Sequence, residues 1–237
     1  MAEDRPLERV LVVTAHPDDV DFGAAGTVAK WTDEGVEVIY CIVTDGDAGG
    51  FDPNVPRTEI AGIRRAEQTA AAKEVGVSEL RFLGHPDGRL VASLDLRRDI
   101  SREIRRYRPD IVMCQSPQRD FQRIASHPDH LAAGEATLSA VYPDARNPFT
   151  FTELVDEGFE AHAARQIWVM GGPNPNRFVD TTDHFDRKIA ALRRHESQHQ
   201  NPDAMAQRVR SWNESLAAAA GFGIGRTAES FLIVETP

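Results

Sequence analysis

Cysteine is scarce in this 237-residue chain, which has two, Cys41 and Cys114. Both lie inside apolar runs, at 38–43 and 111–114, and read as reduced core thiols rather than a disulfide framework or a thiolate metal site. Basic charge is also short. Lys and Arg number 27 against 37 Asp and Glu, a formal net charge of -10. That balance argues against a nucleic-acid partner, whose affinity rests on cationic contacts to phosphate. No apolar stretch approaches the roughly 20 residues of a membrane helix. The first five residues, Met1-Ala2-Glu3-Asp4-Arg5, are acidic and lead into a strand rather than a signal core. The expectation is a cytoplasmic protein with no membrane contact. No repeat, linker or low-complexity tract divides the chain, so one domain over 1–237 is expected.

The hydrophobic pattern alternates between two periods. Short β-branched runs predict strands near 9–15, 37–44, 79–83 and 110–115, with helices near 23–34, 58–76 and 95–107 between them. Strand and helix in such alternation predict βαβ units, a mostly parallel sheet and a Rossmann-like three-layer α/β sandwich. The second half is less regular. A helix is predicted from 127–130 to about Val141, with Pro128 in its first turn. A long loop follows at about 143–165, then strands at 166–170 and 177–181, helices at 182–197 and 203–220, and a last strand at 229–235.

Chemistry concentrates in two short runs. His16-Pro17-Asp18-Asp19 directly follows the first apolar strand, and His127-Pro128-Asp129-His130 follows the strand at 110–115 after a polar loop. Open α/β sheets place their sites outside the carboxyl ends of the strands, so neighbouring strands would bring the runs face to face. The glycines of a Gly-x-Gly-x-x-Gly turn are replaced by His16 to Asp19, which argues against a dinucleotide site. Catalytic zinc takes three His or carboxylate ligands and keeps a position open. His16 and Asp19 can reach one ion together, and His130 can complete the set. The donors suit Zn²⁺, with Fe²⁺ or Mn²⁺ as alternatives. Asp18 is then free to accept a proton from an attacking water, and His127 to stand by the substrate carbonyl or leaving amine. Asp129 is placed to orient His127 and support its charged form. A third run, His85-Pro86-Asp87-Gly88, reads as a turn.

These residues resemble the PIG-L/LmbE-like zinc-dependent de-N-acetylases. The resemblance starts at Ala15-His16-Pro17-Asp18-Asp19-Val20-Asp21-Phe22-Gly23, with Gly26-Thr27 following. It continues through Thr44-Asp45-Gly46-Asp47-Ala48-Gly49-Gly50, Arg64 to Glu67, Leu83-Gly84, Asp87-Gly88, His127 to His130 and His195-Glu196-Ser197-Gln198. It implies His16, Asp19 and His130 as zinc ligands and Asp18 as general base. It further implies His127 as the acid on the oxyanion side with Asp129 as its partner, and Arg64 reaching the substrate. The alternative for Arg64 is a surface pair with Glu67. The implied reaction is removal of acetyl from an N-acetylated amino sugar of the GlcNAc type. A metal-dependent amidase for a larger N-acyl group or thiol conjugate is the alternative, and a pocket under 143–165 would point to it. Relatives that form trimers and hexamers make a homo-oligomer an expectation. One departure stands out: Asp21 replaces a Glu common in the family. The loops at about 46–57, 116–126 and 143–165 are where specificity is expected to vary.

Overall fold

The first apolar run becomes the third strand of a seven-stranded sheet. The computed structural model describes residues 6–119, 121 and 126–236. Its strands are β1 (Arg9–Thr14), β2 (Glu37–Thr44), β3 (Glu79–His85), β4 (Ile111–Gln115), β5 (Gln166–Met170), β6 (Arg177–Asp180) and β7 (Ala228–Glu235), in the order β3-β2-β1-β4-β5-β7-β6. Pairing is parallel from β3 through β5, and β7 runs antiparallel to both β5 and β6. The mostly parallel α/β sheet is therefore as expected. Residues 1–5, and residues 120 and 122–125 of the polar loop, lie outside the described residues.

Helices cover both faces, so strand residues are buried on alternate sides. Val10 and Val12 pack toward α1 (Asp19–Asp33), α2 (Arg57–Glu74) and α6 (Phe185–Arg193). Leu11 and Val13 pack toward α3 (Leu94–Tyr107) and α4 (Pro128–Ser139). The last long helix, α7 (Pro202–Ala219 in sequence), joins α6 through Phe185, Leu192, Met205 and Val209. Ser93 caps α3 by accepting the Leu96 N–H at 3.2 Å. Cys41 and Cys114 are free and fully buried, and burial pushes both thiols up, that of Cys114 to about 12. Among the described residues no helix is long and apolar enough to cross a membrane.

β1 lies between β2 and β4, and the chain leaves it in opposite lateral directions. That reversal opens a crevice at the carboxyl ends of β1 and β4. The Gln115 side chain fastens it, accepting the Ala15 N–H at 2.8 Å. α4 then crosses so near that a Cβ on Gly134 would lie 2.4 Å from the Gln115 carbonyl oxygen, so only glycine fits there.

Three expectations need revision. α1 starts at Asp19 rather than 23, because Asp18 adopts a left-handed conformation (φ 84°) as its N-cap and folds the polar run into the helix entry. The helix expected over 182–197 is shorter, with 3-10 turns at 182–184 and 196–198 on either side of α6. Residues 143–165 are no open loop. They carry α5 (Thr152–Asp156) and are held to α3 by Arg105, whose guanidinium donates to the carbonyls of Asp144, Ala145, Asn147 and Thr150. They follow the C-terminal end of the 12-residue α4, about 18 Å along the helix from His127.

A buried ion pair is tied to the backbone of α1. The Glu229 carboxylate on β7 accepts the N–H groups of Gly26 at 2.9 Å and Thr27 at 2.7 Å. Lys188 on α6 donates to the Phe22 carbonyl and to Glu229, both at 2.6 Å. Side chains from two distant elements thus take up backbone groups of the helix that carries the polar run.

Candidate active site

The two polar runs meet in the crevice. His16 Nδ1 lies 3.2 Å from His130 Nε2 and 3.3 Å from Asp19 Oδ2, while His130 Nε2 lies 3.0 Å from Asp19 Oδ1. One atom from each of the three falls within 4.8 Å of the others. The donor set fits a divalent cation: two imidazole nitrogens and a shared carboxylate, without thiolates, suit zinc-like borderline metals. Asp19 also accepts the His16 N–H at 2.7 Å, which fixes the loop that presents both.

The charges follow from this crowding. Burial works against the His16 cation but is outweighed by the ring's hydrogen bonds to the Asp19 and Asp87 carboxylates, and the ring is pushed up to about 10. Burial raises the Asp19 carboxyl, yet His130 and His16 hold it well below the usual carboxylate range. A metal must therefore displace the proton on His16 Nδ1. Loading the metal-free protein with zinc near pH 7 is expected to expel protons, with affinity rising as pH rises. Calorimetry in buffers of different ionisation heats measures this, and a heat independent of buffer would contradict it.

Asp18 is not one of those three but neighbours them. Its backbone N–H donates to Gln68 Oε1 at 2.7 Å and its carboxylate accepts from Arg64 at 3.1 Å. Burial, reinforced by the Asp19 charge and opposed by Arg64, pushes its carboxyl up to about 6. Arg64 does not form a surface pair with Glu67. It is 4% exposed and donates to the Pro17 carbonyl at 2.5 Å and the Gly46 carbonyl at 3.2 Å. The Gly46–Gly50 loop wraps it: a Cβ on Gly46 or Gly49 would come within 2.4 or 2.6 Å of its guanidinium. Glu67 instead accepts from the Ser197 N–H and hydroxyl.

His127 and Asp129 are also paired differently from expectation. The Asp129 carboxylate accepts the N–H groups of Gly88 at 2.7 Å and Leu90 at 3.2 Å and lies 3.4 Å from His16 Nε2. It is the Asp129 backbone N–H that meets His127, donating at 3.1 Å to Nδ1 of this residue, which is the N-cap of α4. With Nδ1 accepting, the remaining ring proton belongs on Nε2. The exposed His127 ring stands edge-on to His16, with centroids 4.8 Å apart.

Two features escaped the sequence reading. Asp87, read there as part of a turn, does follow β3 in a turn, but its carboxylate reaches His16 Nε2 at 2.9 Å. It is fixed by the 46–50 loop, accepting the Ala48 N–H. A histidine that gives one nitrogen to a metal commonly gives the other to a carboxylate, which sets its tautomer. Asp21 and His195 form the second. The fully buried Asp21 takes Gln68 Nε2 at 2.9 Å and His195 Nε2 at 2.8 Å. Burial opposes the charge on His195, but Asp21 raises it overall. Asp18, Gln68, Asp21 and His195 thus form one chain behind the site. The available signal was the spacing on α2, where Ile60, Arg64 and Gln68 fall four apart on the buried face.

A cavity of about 500 Å³ opens beside Asp19 and His130 and extends to the 171–175 loop and α7. None of its lining comes from 143–165.

Comparison with known proteins agrees with this architecture. A family model described as GlcNAc-PI de-N-acetylase (PIG-L) matches residues 11–141. A diacetylchitobiose deacetylase of Thermococcus kodakarensis is 34% identical over 192 residues, 81% of this chain and 70% of that one. A probable N-acetyl-alpha-D-glucosaminyl L-malate deacetylase 2 of Bacillus cereus is 33% identical over 200 residues, 81% of this chain and 84% of the other. Among solved structures, N,N'-diacetylchitobiose deacetylase of Pyrococcus horikoshii with its inhibitor MPG superposes with a TM-score of 0.89 at 31% identity, covering 97% of this chain and 84% of that one. A 4-carboxy-2-hydroxymuconate hydratase of Pseudomonas putida shares the fold with a TM-score of 0.79 at 21% identity, covering 98% of both. The fold thus carries more than one chemistry, and function has to be argued from the site. With more than half of its length matched by the family model and 34% identity to the Thermococcus enzyme, the chain belongs to the PIG-L family of de-N-acetylases.

Proposed function

We propose that this protein is a zinc-dependent hydrolase that removes acetyl from an N-acetylated amino sugar of the GlcNAc type. The observation that carries this reading is the convergence of His16, Asp19 and His130 on one point, with the buried Asp18 carboxyl beside them and a cavity leading in. A divalent ion held by those three residues would polarise the acetamide carbonyl and acidify water. The rest falls to the chain. Asp18, raised toward neutrality by burial, takes the proton of the attacking water on its carboxylate and can pass it to the departing nitrogen. His127 offers its Nε2–H to the developing oxyanion. Asp87 and Asp129 hold the His16 ring from behind, and Arg64 keeps Asp18 aligned. The products are acetate and the free amine.

The test is amine release by zinc-reconstituted protein from N-acetylglucosamine, diacetylchitobiose, GlcNAc-malate and GlcNAc-inositol. No release from any of them by protein carrying one zinc per chain would remove the reading.

A further inference from the structure

The left-handed turn at Asp18 is held from both ends. The Asp18 carbonyl accepts the N–H groups of Asp21 at 2.9 Å and Phe22 at 3.1 Å, at the entry to α1. Its own N–H donates to Gln68 Oε1 at 2.7 Å. A left-handed conformation in a residue other than glycine costs about as much as one hydrogen bond contributes. The Gln68 contact is therefore large enough to decide whether Asp18 keeps its φ of 84°.

Gln68 can do this only one way round. It is fully buried, and its amide has a donating and an accepting end of nearly the same shape. Turned over, it would set its NH2 group against the Asp18 N–H, donor against donor. The other end of the amide forbids that. Asp21 Oδ2, on a fully buried side chain, takes Gln68 Nε2 at 2.9 Å, and a carboxylate only accepts. It engages the NH2 end and leaves the oxygen for Asp18. His195 Nε2 donates to the same Asp21 oxygen at 2.8 Å and holds it in place. Space alone does not call for three buried polar side chains in a row, since apolar ones would fill it without losing hydration. What the row adds is a direction of donation that ends on the Asp18 backbone.

We propose that Gln68 and Asp21 are positioning residues for the general base: Asp21 sets the direction of the Gln68 amide, and that amide holds the Asp18 backbone in its left-handed turn. The effect on rate rests on the deacetylase reading, whereas the effect on the turn does not.

The experiment uses three variants of the zinc-loaded full chain. Gln68→Met removes the acceptor of the Asp18 N–H at similar side-chain length. It is expected to lower kcat about tenfold, the scale on which a slightly misplaced catalytic group acts, with KM and zinc content unchanged. Asp21→Ala removes the anchor of the amide and should lose kcat in the same way. Asp21→Asn keeps an oxygen that can accept from both Gln68 and His195, and should retain most of the rate. Amide NMR reads the turn directly: the Asp18 N–H should exchange with solvent about tenfold faster in Gln68→Met and stay protected in Asp21→Asn. An unchanged kcat or an unchanged Asp18 exchange rate in Gln68→Met overturns the proposal. So does an equal loss in Asp21→Asn and Asp21→Ala, which would make charge rather than direction the working property. If Asp21→Ala does not fold, the other two variants decide. If the wild-type protein turns over no N-acetyl sugar, the deacetylase reading fails separately, and Asp18 exchange in Gln68→Met alone judges the turn.

Discussion

An Asp18→Asn enzyme is expected to keep its zinc and lose about 10²–10⁴-fold in kcat, the usual worth of a positioned general base. Asparagine is the informative replacement. The position has φ 84°, a left-handed conformation that Asn tolerates better than other side chains. Its backbone N–H still donates to Gln68, so the turn should persist. The three residues that converge on the ion do not include Asp18, so metal content should stay near one per chain. Only the proton acceptor is lost. In the wild type, activity should fall as pH drops toward and below about 6, where the raised Asp18 carboxyl takes up a proton. The bound ion's charge favours the carboxylate and places that limb lower. The variant should have no such limb. Rate profiles with metal analysis check both points, and a kcat within tenfold of wild type would remove Asp18 from the base role.

Arg64→Met is expected to lower stability by about 3–5 kcal/mol, the typical cost of removing one partner of a buried ion pair. The guanidinium holds the Asp18 carboxylate, the Pro17 carbonyl and the Gly46 carbonyl together, and methionine offers none of these bonds. Arg64 also opposes the upward shift of Asp18. Without it the Asp18 carboxyl rises further, so the acid limb of activity should move to higher pH. A residue whose task was to bind substrate would instead raise KM and leave that limb in place. Denaturant unfolding and a pH–rate profile separate the two roles.

What could be read from the sequence follows from what is local. The strand that ends in His16-Pro17-Asp18-Asp19 announces itself, because apolar period and polar stop adjoin within ten residues. The convergence with His127 to His130 required only that β1 and β4 be neighbours. Asp87 was hidden because its reach to His16 depends on β3 lying beside β2 and on a turn held by the 46–50 loop. The Asp21–His195 contact joins residues 174 positions apart, and no periodicity reports it. The polar character of Arg64 and Gln68 masked their place on the buried stripe of α2. The 143–165 stretch looked loose because its backbone is satisfied by Arg105 rather than by a ladder of its own.

The way Glu229 and Lys188 enter α1 has a consequence for how the protein is made. The helix that begins at the polar turn leaves the ribosome well before β7, since Gly26 precedes Glu229 by 203 residues. Until residues 228–235 emerge, the N–H groups of Gly26 and Thr27 do not have the carboxylate that holds them in the finished protein. The N-terminal half of the sheet can assemble during synthesis. The helix that carries Asp19 gains this tie only after β7 has been made. A nascent chain stalled before β7 would carry His16, Asp19 and His130 and lack the carboxylate that ties down the middle of α1.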